Sequence, residues 1–217
     1  MLNRDSDVSH IIFAAGVEGG DTQTLEHTME CFTRATQNLR IIYLSSDGVF
    51  DGQKGNYSEN DVPNPITVYG RNVLLCEHMI RENCPNHCII RPSYIYGFSD
   101  GALDKRLAET REKLLNNSEV PLFSDMYKSP LGVGTVAEAI AWLTFSEYGG
   151  VLHVGGERLS VYDFHERGMK ALGVNTEKLK SQPVPPNAGI PPDTSLDSSL
   201  WQKLTGMSPA SIEETLG

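Results

Sequence analysis

The sequence predicts an α/β protein whose core is a buried parallel sheet with helices on both faces. Three observations carry that expectation. Short apolar runs rich in β-branched residues recur at 8–13, 40–44 and 88–90, as strands covered on both sides do. The first two stop at small or hydroxyl residues and lead into segments of helical periodicity. Four cysteines in 217 residues are too few for a disulfide scaffold, and 39% hydrophobic with 21% charged residues describes an ordinary globular chain.

That length supports one good core with a small additional lobe. A net charge of −10 argues against nucleic acid or an anionic membrane surface as the main partner. Phosphate-bearing small ligands remain compatible, because local backbone dipoles outweigh net charge. No apolar run reaches membrane-spanning length and the first residues do not form a signal peptide, so a cytoplasmic protein is expected.

Taken in order, Val8 to Gly16 reads as a strand ending in Ala14, Ala15 and Gly16. The glycines at 16, 19 and 20 lack the spacing of a phosphate loop. Thr22 to Gln37 reads as a helix capped by Asp21, with Leu25, Met29, Phe32 and Ala35 on its inner stripe. Arg40 to Leu44 is the central strand, broken by Ser45-Ser46-Asp47-Gly48. Ligands of open α/β sheets bind at the carboxyl ends of strands. From about Ile66 to Asn83 a helix follows in which Tyr69, Val73 and Leu74 share a face. A hydroxyl at the strand end and a tyrosine in the first helical turns can meet one carbonyl oxygen. Ser46 then donates a hydrogen bond and Tyr69 acts as general acid.

Cys84 and Cys88 do not have zinc-pair spacing, and Cys88 opens an apolar run as a small buried thiol, so no metal is expected. A strand from Cys88 reaches Arg91-Pro92, and Tyr94 and Tyr96 carry the chain across the strand ends. Leu103 to Asn116 and Val136 to Phe145 read as helices. Gly132 to Ala137 fits Gly-x-Gly-x-x-Ala but follows no strand, so it reads as a loop-to-helix junction. His153, on the strand that starts at Val151, reads as a packing residue. Val161 to Leu172 is a helix ended by Gly173. Leu196, Leu200 and Leu204 recur at helical spacing and predict an ordered tail.

The strings Ser45-Ser46-Asp47-Gly48-Val49-Phe50-Asp51-Gly52, Tyr69-Gly70, Arg91-Pro92-Ser93-Tyr94-Ile95-Tyr96-Gly97 and Phe123-Ser124-Asp125 with Ser129-Pro130 resemble the extended short-chain dehydrogenase/reductases. The resemblance is closest to the dTDP-4-dehydrorhamnose reductase branch, the RmlD-like sugar-nucleotide-binding family. It implies a Rossmann-type sheet and a single domain over 1–217, with a C-terminal substrate-binding lobe from about 98–130 and 155–217. It implies Ser46 and Tyr69 as catalytic residues. Ala14, Ala15, Gly16, Ser45, Tyr69, Arg91 and Pro92 would contact NAD(P). Asp47, Val49, Phe50, Tyr94, Tyr96, Asp125, Tyr127 and Ser129 would bind a nucleotide-sugar-like molecule.

Two departures stand out. The family's lysine, one helical turn after the tyrosine, is Val73, and none of the eight tyrosines is followed by such a lysine. The segment that opens the family's sheet, with its glycine loop, does not precede Val8, so the expected sheet is truncated and NAD(P) binding is expected to be weak or absent. Two readings stay open: a sugar-nucleotide reductase with impaired or lost turnover, or a non-catalytic binding or regulatory subunit similar to the methionine adenosyltransferase beta subunit. A fragment of a split reductase is a variant of the second. The strand near Ile12 would then be an exposed edge that pairs with a second copy or another chain.

Overall fold

A computed structural model describes residues 8–15 and 21–217. In chain order its main elements are β1 (His10–Phe13), α1 (Thr22–Thr36), β2 (Arg40–Leu44), α2 (Val68–Asn83), β3 (His87–Pro92) and α3 (Lys105–Leu115). There follow β4 (Val120–Phe123), α4 (Val133–Phe145), β5 (Gly150–Val154), α5 (Val161–Ala171), β6 (Leu179–Gln182), α6 (Ser199–Thr205) and α7 (Ile212–Leu216).

β1, β2, β3 and β5 form one parallel sheet in that spatial order. Side chains alternate across a strand, and the apolar runs are continuous because both faces are covered. Ile41, Tyr43 and Ile89 pack under α1 and α2. Ile42, Cys88 and Ile90 pack on the other face with α4 residues and Trp201 of α6. Cys84 and Cys88 are therefore buried on opposite faces, each a small apolar filler. β1 differs: it pairs with β2 alone among the described residues, and Ile12 is 50% exposed.

Helix starts follow their caps. The Asp21 carboxylate accepts from Thr24 N at 3.0 Å, and Thr67 Oγ1 accepts from Gly70 N at 3.0 Å. The second cap moves the start of α2 from the expected Ile66 to Val68. On α1 the inner stripe is corrected as well: Met29, Thr33 and Thr36 are buried while Ala35 is exposed. The two threonines can go inside because each donates to a carbonyl of its own helix, Met29 O and Phe32 O, at 2.9 Å. α4 begins at Val133, with Gly132 as its N-cap.

A second core gathers Leu107, Val120, Phe164, Met169, Leu179, Ile212 and Leu216 from α3, the parallel β4–β6 pair, α5 and α7, with Tyr96 from the segment after β3. The tail is ordered, but Leu196 lies before α6 and bridges to Tyr57 instead of joining the helical stripe. Asp193 N donates to Gly52 O and Tyr127 N to Pro192 O. Gly52 and Gly55, both at positive φ, let this strap lie against the 51–57 loop, since a Cβ there would sit 2.8 Å from Pro191 or 2.3 Å from Asp193.

Candidate functional site

The carboxyl end of β2 delivers Ser45 and Ser46 into a cleft of about 470 Å³, a usual size for a small-molecule site. Ser46 caps the tight turn Asp47–Val49, where its Oγ accepts from Gly48 N at 3.1 Å. The start of α2 is pressed against that turn. A Cβ on Gly70 would lie 2.1 Å from Gly48 O, and one on Gly48 would lie 3.1 Å from the Tyr69 ring and 3.4 Å from Ser46 Oγ. Two glycines thus bring Ser46 and Tyr69 to either side of one backbone position.

Asp47 is the electrostatic centre of the cleft wall. Its Oδ2 accepts from Lys128 Nζ at 2.9 Å, Thr194 Oγ1 at 2.6 Å and Ser93 Oγ at 3.0 Å, and its Oδ1 from Ser46 Oγ at 3.1 Å. Burial alone would raise its pKa. The Lys128 ammonium and these donors outweigh that and hold it below the usual carboxylate range. The Ser46 proton is thus directed at Asp47, and meeting a ligand oxygen requires the hydroxyl to rotate.

Beneath the cleft lies a closed polar network. Arg91 Nε and Nη2 hold Glu77 at 2.8 and 2.6 Å, and Ser45 Oγ donates to the same carboxylate. His153 Nδ1 meets Tyr57 O at 2.9 Å and its Nε2 lies 3.3 Å from Arg91. Burial, then Arg91, pushes the His153 pKa down to about 4, so the ring is a neutral packing residue.

The family model of the RmlD substrate binding domain matches residues 28–217. The chain belongs to that family. A Haloferax volcanii protein described as "Probable low-salt glycan biosynthesis reductase" is 30% identical over 190 residues, covering 83% of this chain and 62% of its own length. The chain thus spans less than two thirds of that relative. The methionine adenosyltransferase 2 subunit beta of Danio rerio is 42% identical over 57 residues, covering 26% of this chain and 18% of its own. The dTDP-4-dehydrorhamnose reductase of Bacillus anthracis, solved in complex with NADP, shares the fold with a TM-score of 0.79 at 21% identity, over 96% of this chain and 78% of its own.

On this RmlD-family domain, Ala14, Ala15, Ser45, Ser46, Asp47, Tyr69, Pro92 and Tyr94 all line the cleft. The others do not. Val49 and Phe50 are fully buried under α1 and α2, because the turn after Ser46 points them inward. Arg91 is 1% exposed and spent on Glu77. Tyr96 belongs to the second core. Asp125 accepts from Val184 N, Tyr127 lies under Arg158 at 3.6 Å, and Ser129 is fully buried. Gly16 lies outside the described residues.

Among the lining or supporting residues that sequence reasoning missed are Arg106, Lys128, Pro191 and Thr194. Lys128 sits inside the Asp125–Ser129 string and Thr194 in the tail, but the partner of each is far along the chain. For an NAD(P) molecule, α2 contributes Tyr69 and no cation to the lining, since Val73 is 2% exposed in the core. That donor set does not fit a ribose held by a lysine. Among the described residues no cluster of His, Cys, Asp or Glu could hold a metal, and no helix is long and apolar enough to cross a membrane.

Proposed function

We propose that the cleft is the sugar-nucleotide site of a dTDP-4-dehydrorhamnose-reductase-like protein in which ordinary reductive turnover is impaired or lost. The supporting observation is the meeting of Ser46, Asp47, Tyr69 and Tyr94 in one cleft, with the core residue Val73 a turn behind Tyr69. Ser46 and Tyr69 bracket the sugar carbonyl, the first as hydrogen-bond donor and the second as acid. A lysine at position 73 would stabilise the tyrosinate and contact the cofactor; a buried valine does neither. The second core forms the substrate lobe, and the family's NAD(P) binds this chain weakly. The test is calorimetry and a stopped assay of the purified chain with NADPH and dTDP-4-dehydrorhamnose. Binding of the dTDP-sugar without micromolar NADPH affinity or turnover is expected, and Val73→Lys alone does not restore turnover. Robust NADPH-dependent turnover by the chain or by that single variant would overturn the impairment.

The second reading, a regulatory subunit, draws on the 42% identity to a methionine adenosyltransferase beta subunit over 57 residues. Sedimentation with a methionine adenosyltransferase catalytic subunit tests it, and no co-sedimenting complex would remove it. In either case this cytoplasmic protein sets β1 against a second polypeptide, in the simplest case its own copy. The support is the unpaired side of β1 among the described residues, with Ile12 exposed. Light scattering that finds a stable monomer at high concentration would refute the homodimer.

A further inference from the structure

The charged side chains lining the cleft are Asp47, Lys128 and Arg106. Asp47 and Lys128 pair at 2.9 Å, which leaves Arg106 as the net charge of the wall in a chain of net charge −10. The cavity beside α7 is the reverse, with Arg167 facing Glu157, Asp197 and Glu214. An anionic ligand is therefore drawn to the Arg106 cleft and not to that cavity.

Arg106 is held ready. Its guanidinium carbon lies 3.8 Å from the centre of the Tyr94 ring, and Nη2 donates to Ile95 O at 2.6 Å. Asp104 is 3.8 Å from Nε, but its carboxylate also accepts from Arg106 N and Leu107 N as the cap of α3. Nη1 makes no hydrogen bond among the described residues, and the side chain is 46% exposed. A guanidinium lying over an aromatic face leaves its outer N–H groups at the ring edge, where they can meet phosphate oxygens. The Tyr94 platform is itself braced: its hydroxyl lies 3.3 Å from His165 Nε2, and His165 Nδ1 lies 3.0 Å from Thr110 Oγ1 on the same helix as Arg106. A ligand-holding side chain whose support is locked by neighbours is preorganised.

We propose that Arg106, stacked on Tyr94, anchors the diphosphate of the nucleotide ligand. The inference rests on the sugar-nucleotide reading above and adds the residue that holds the charge. A dinucleotide carries the same diphosphate chemistry. Arg106 nevertheless belongs to α3 of the second core, whereas Ala14, Ala15, Ser45 and Pro92, assigned to NAD(P), stand at the β1, β2 and β3 ends and Tyr69 on α2, so the sugar nucleotide is the source.

The experiment is calorimetric titration of the full chain with dTDP, thymidine, inorganic pyrophosphate and NADPH. It compares the unaltered protein with Arg106→Gln, Arg106→Lys and, as a surface control, Arg34→Gln, each first shown to be folded by circular dichroism. Arg106→Gln is expected to weaken dTDP on the order of 30-fold, the range of a charge-assisted contact. Arg106→Lys recovers part of that loss, while thymidine and the control are unaffected. Unchanged dTDP affinity in Arg106→Gln would overturn the anchor and leave the sugar-nucleotide reading standing. Arg106-dependent binding of pyrophosphate without binding of dTDP would keep the anchor and overturn that reading. A loss confined to NADPH would assign Arg106 to a dinucleotide and overturn the proposal, and no binding of any phosphate compound would overturn both.

Discussion

One ion pair lies beneath the cleft and another lines it, and they differ in what surrounds them. The Arg91 and Glu77 side chains are 2% and 0% exposed, doubly bonded, and linked inward to Ser45 and His153. Lys128 and Asp47 are 14% and 7% exposed, singly bonded, and linked outward to Ser46 and the cleft. The first ties α2 to the sheet; the second shares its carboxylate with Ser46, which lines the cleft. Depth decides the cost of breaking each, and connectivity decides whether function feels it.

The largest expected effect comes from the deeper pair. Glu77→Gln leaves Arg91 charged and without its partner, and should cost about 3–5 kcal/mol in a urea titration. Replacing both, as Glu77→Leu with Arg91→Met, should recover most of that loss. A single-variant loss under about 1 kcal/mol would show that the pair is not closed to water. Asp47→Asn should cost less, about 1.5–3 kcal/mol, since the partners it frees reach solvent at the cleft. Unlike Glu77→Gln refolded under stabilising conditions, it should also weaken dTDP-sugar binding. Equal binding by the two variants would erase the functional contrast.

Acid separates the two regions further. Burial first, then Arg91 for His153 and Arg106 for His165, pushes both histidines down to about 4. Their folded pKa lies below the ordinary value of 6.5, so the unfolded chain binds protons first. The contribution of the two rings should be constant above pH 6.5 and fall from there toward pH 4, by up to about 1.4 kcal/mol per pH unit for each ring. The Asp47 pKa is lowered, so its contribution survives that window and is lost only as the pH falls below the ordinary value of 3.8. Denaturation midpoints that stay level from pH 7 to 4 would count against neutral, buried rings; His153→Gln should roughly halve the slope. The smallest effect is the reference: Lys54 and Asp61 pair at 2.6 Å with Lys54 55% exposed, and Lys54→Ala should cost no more than about 1 kcal/mol.

Much of the framework was legible. β2 and β3 announce themselves as apolar runs, Asp21 and Gly173 mark helix ends, and Ser46 and Tyr69 were expected to converge and line the same cleft. Ala35 was misplaced because a periodic stripe counts hydrophobicity alone, whereas Thr33 and Thr36 can hide their hydroxyls on their own helix. Val49, Phe50, Arg91 and Tyr96 were expected at the ligand because they stand in strings that resemble a family's. A string does not say which of its side chains turns inward, and the 47–49 turn sends two of them into the core.

The sequence by itself determined the parallel strands, the helices between them and the absence of a lysine one turn after Tyr69. These are local facts, carried by periods of two and 3.6 residues and by caps within a few positions. Only the tertiary structure decided that Asp47 meets Lys128 and Thr194, 81 and 147 positions away, and that Arg106 lies on Tyr94. The tail strap and the second core bring those partners together. Such contacts form because the assembled fold leaves a buried carboxylate or an aromatic face that a donor or a cation can satisfy, and no local pattern encodes which distant residue will arrive.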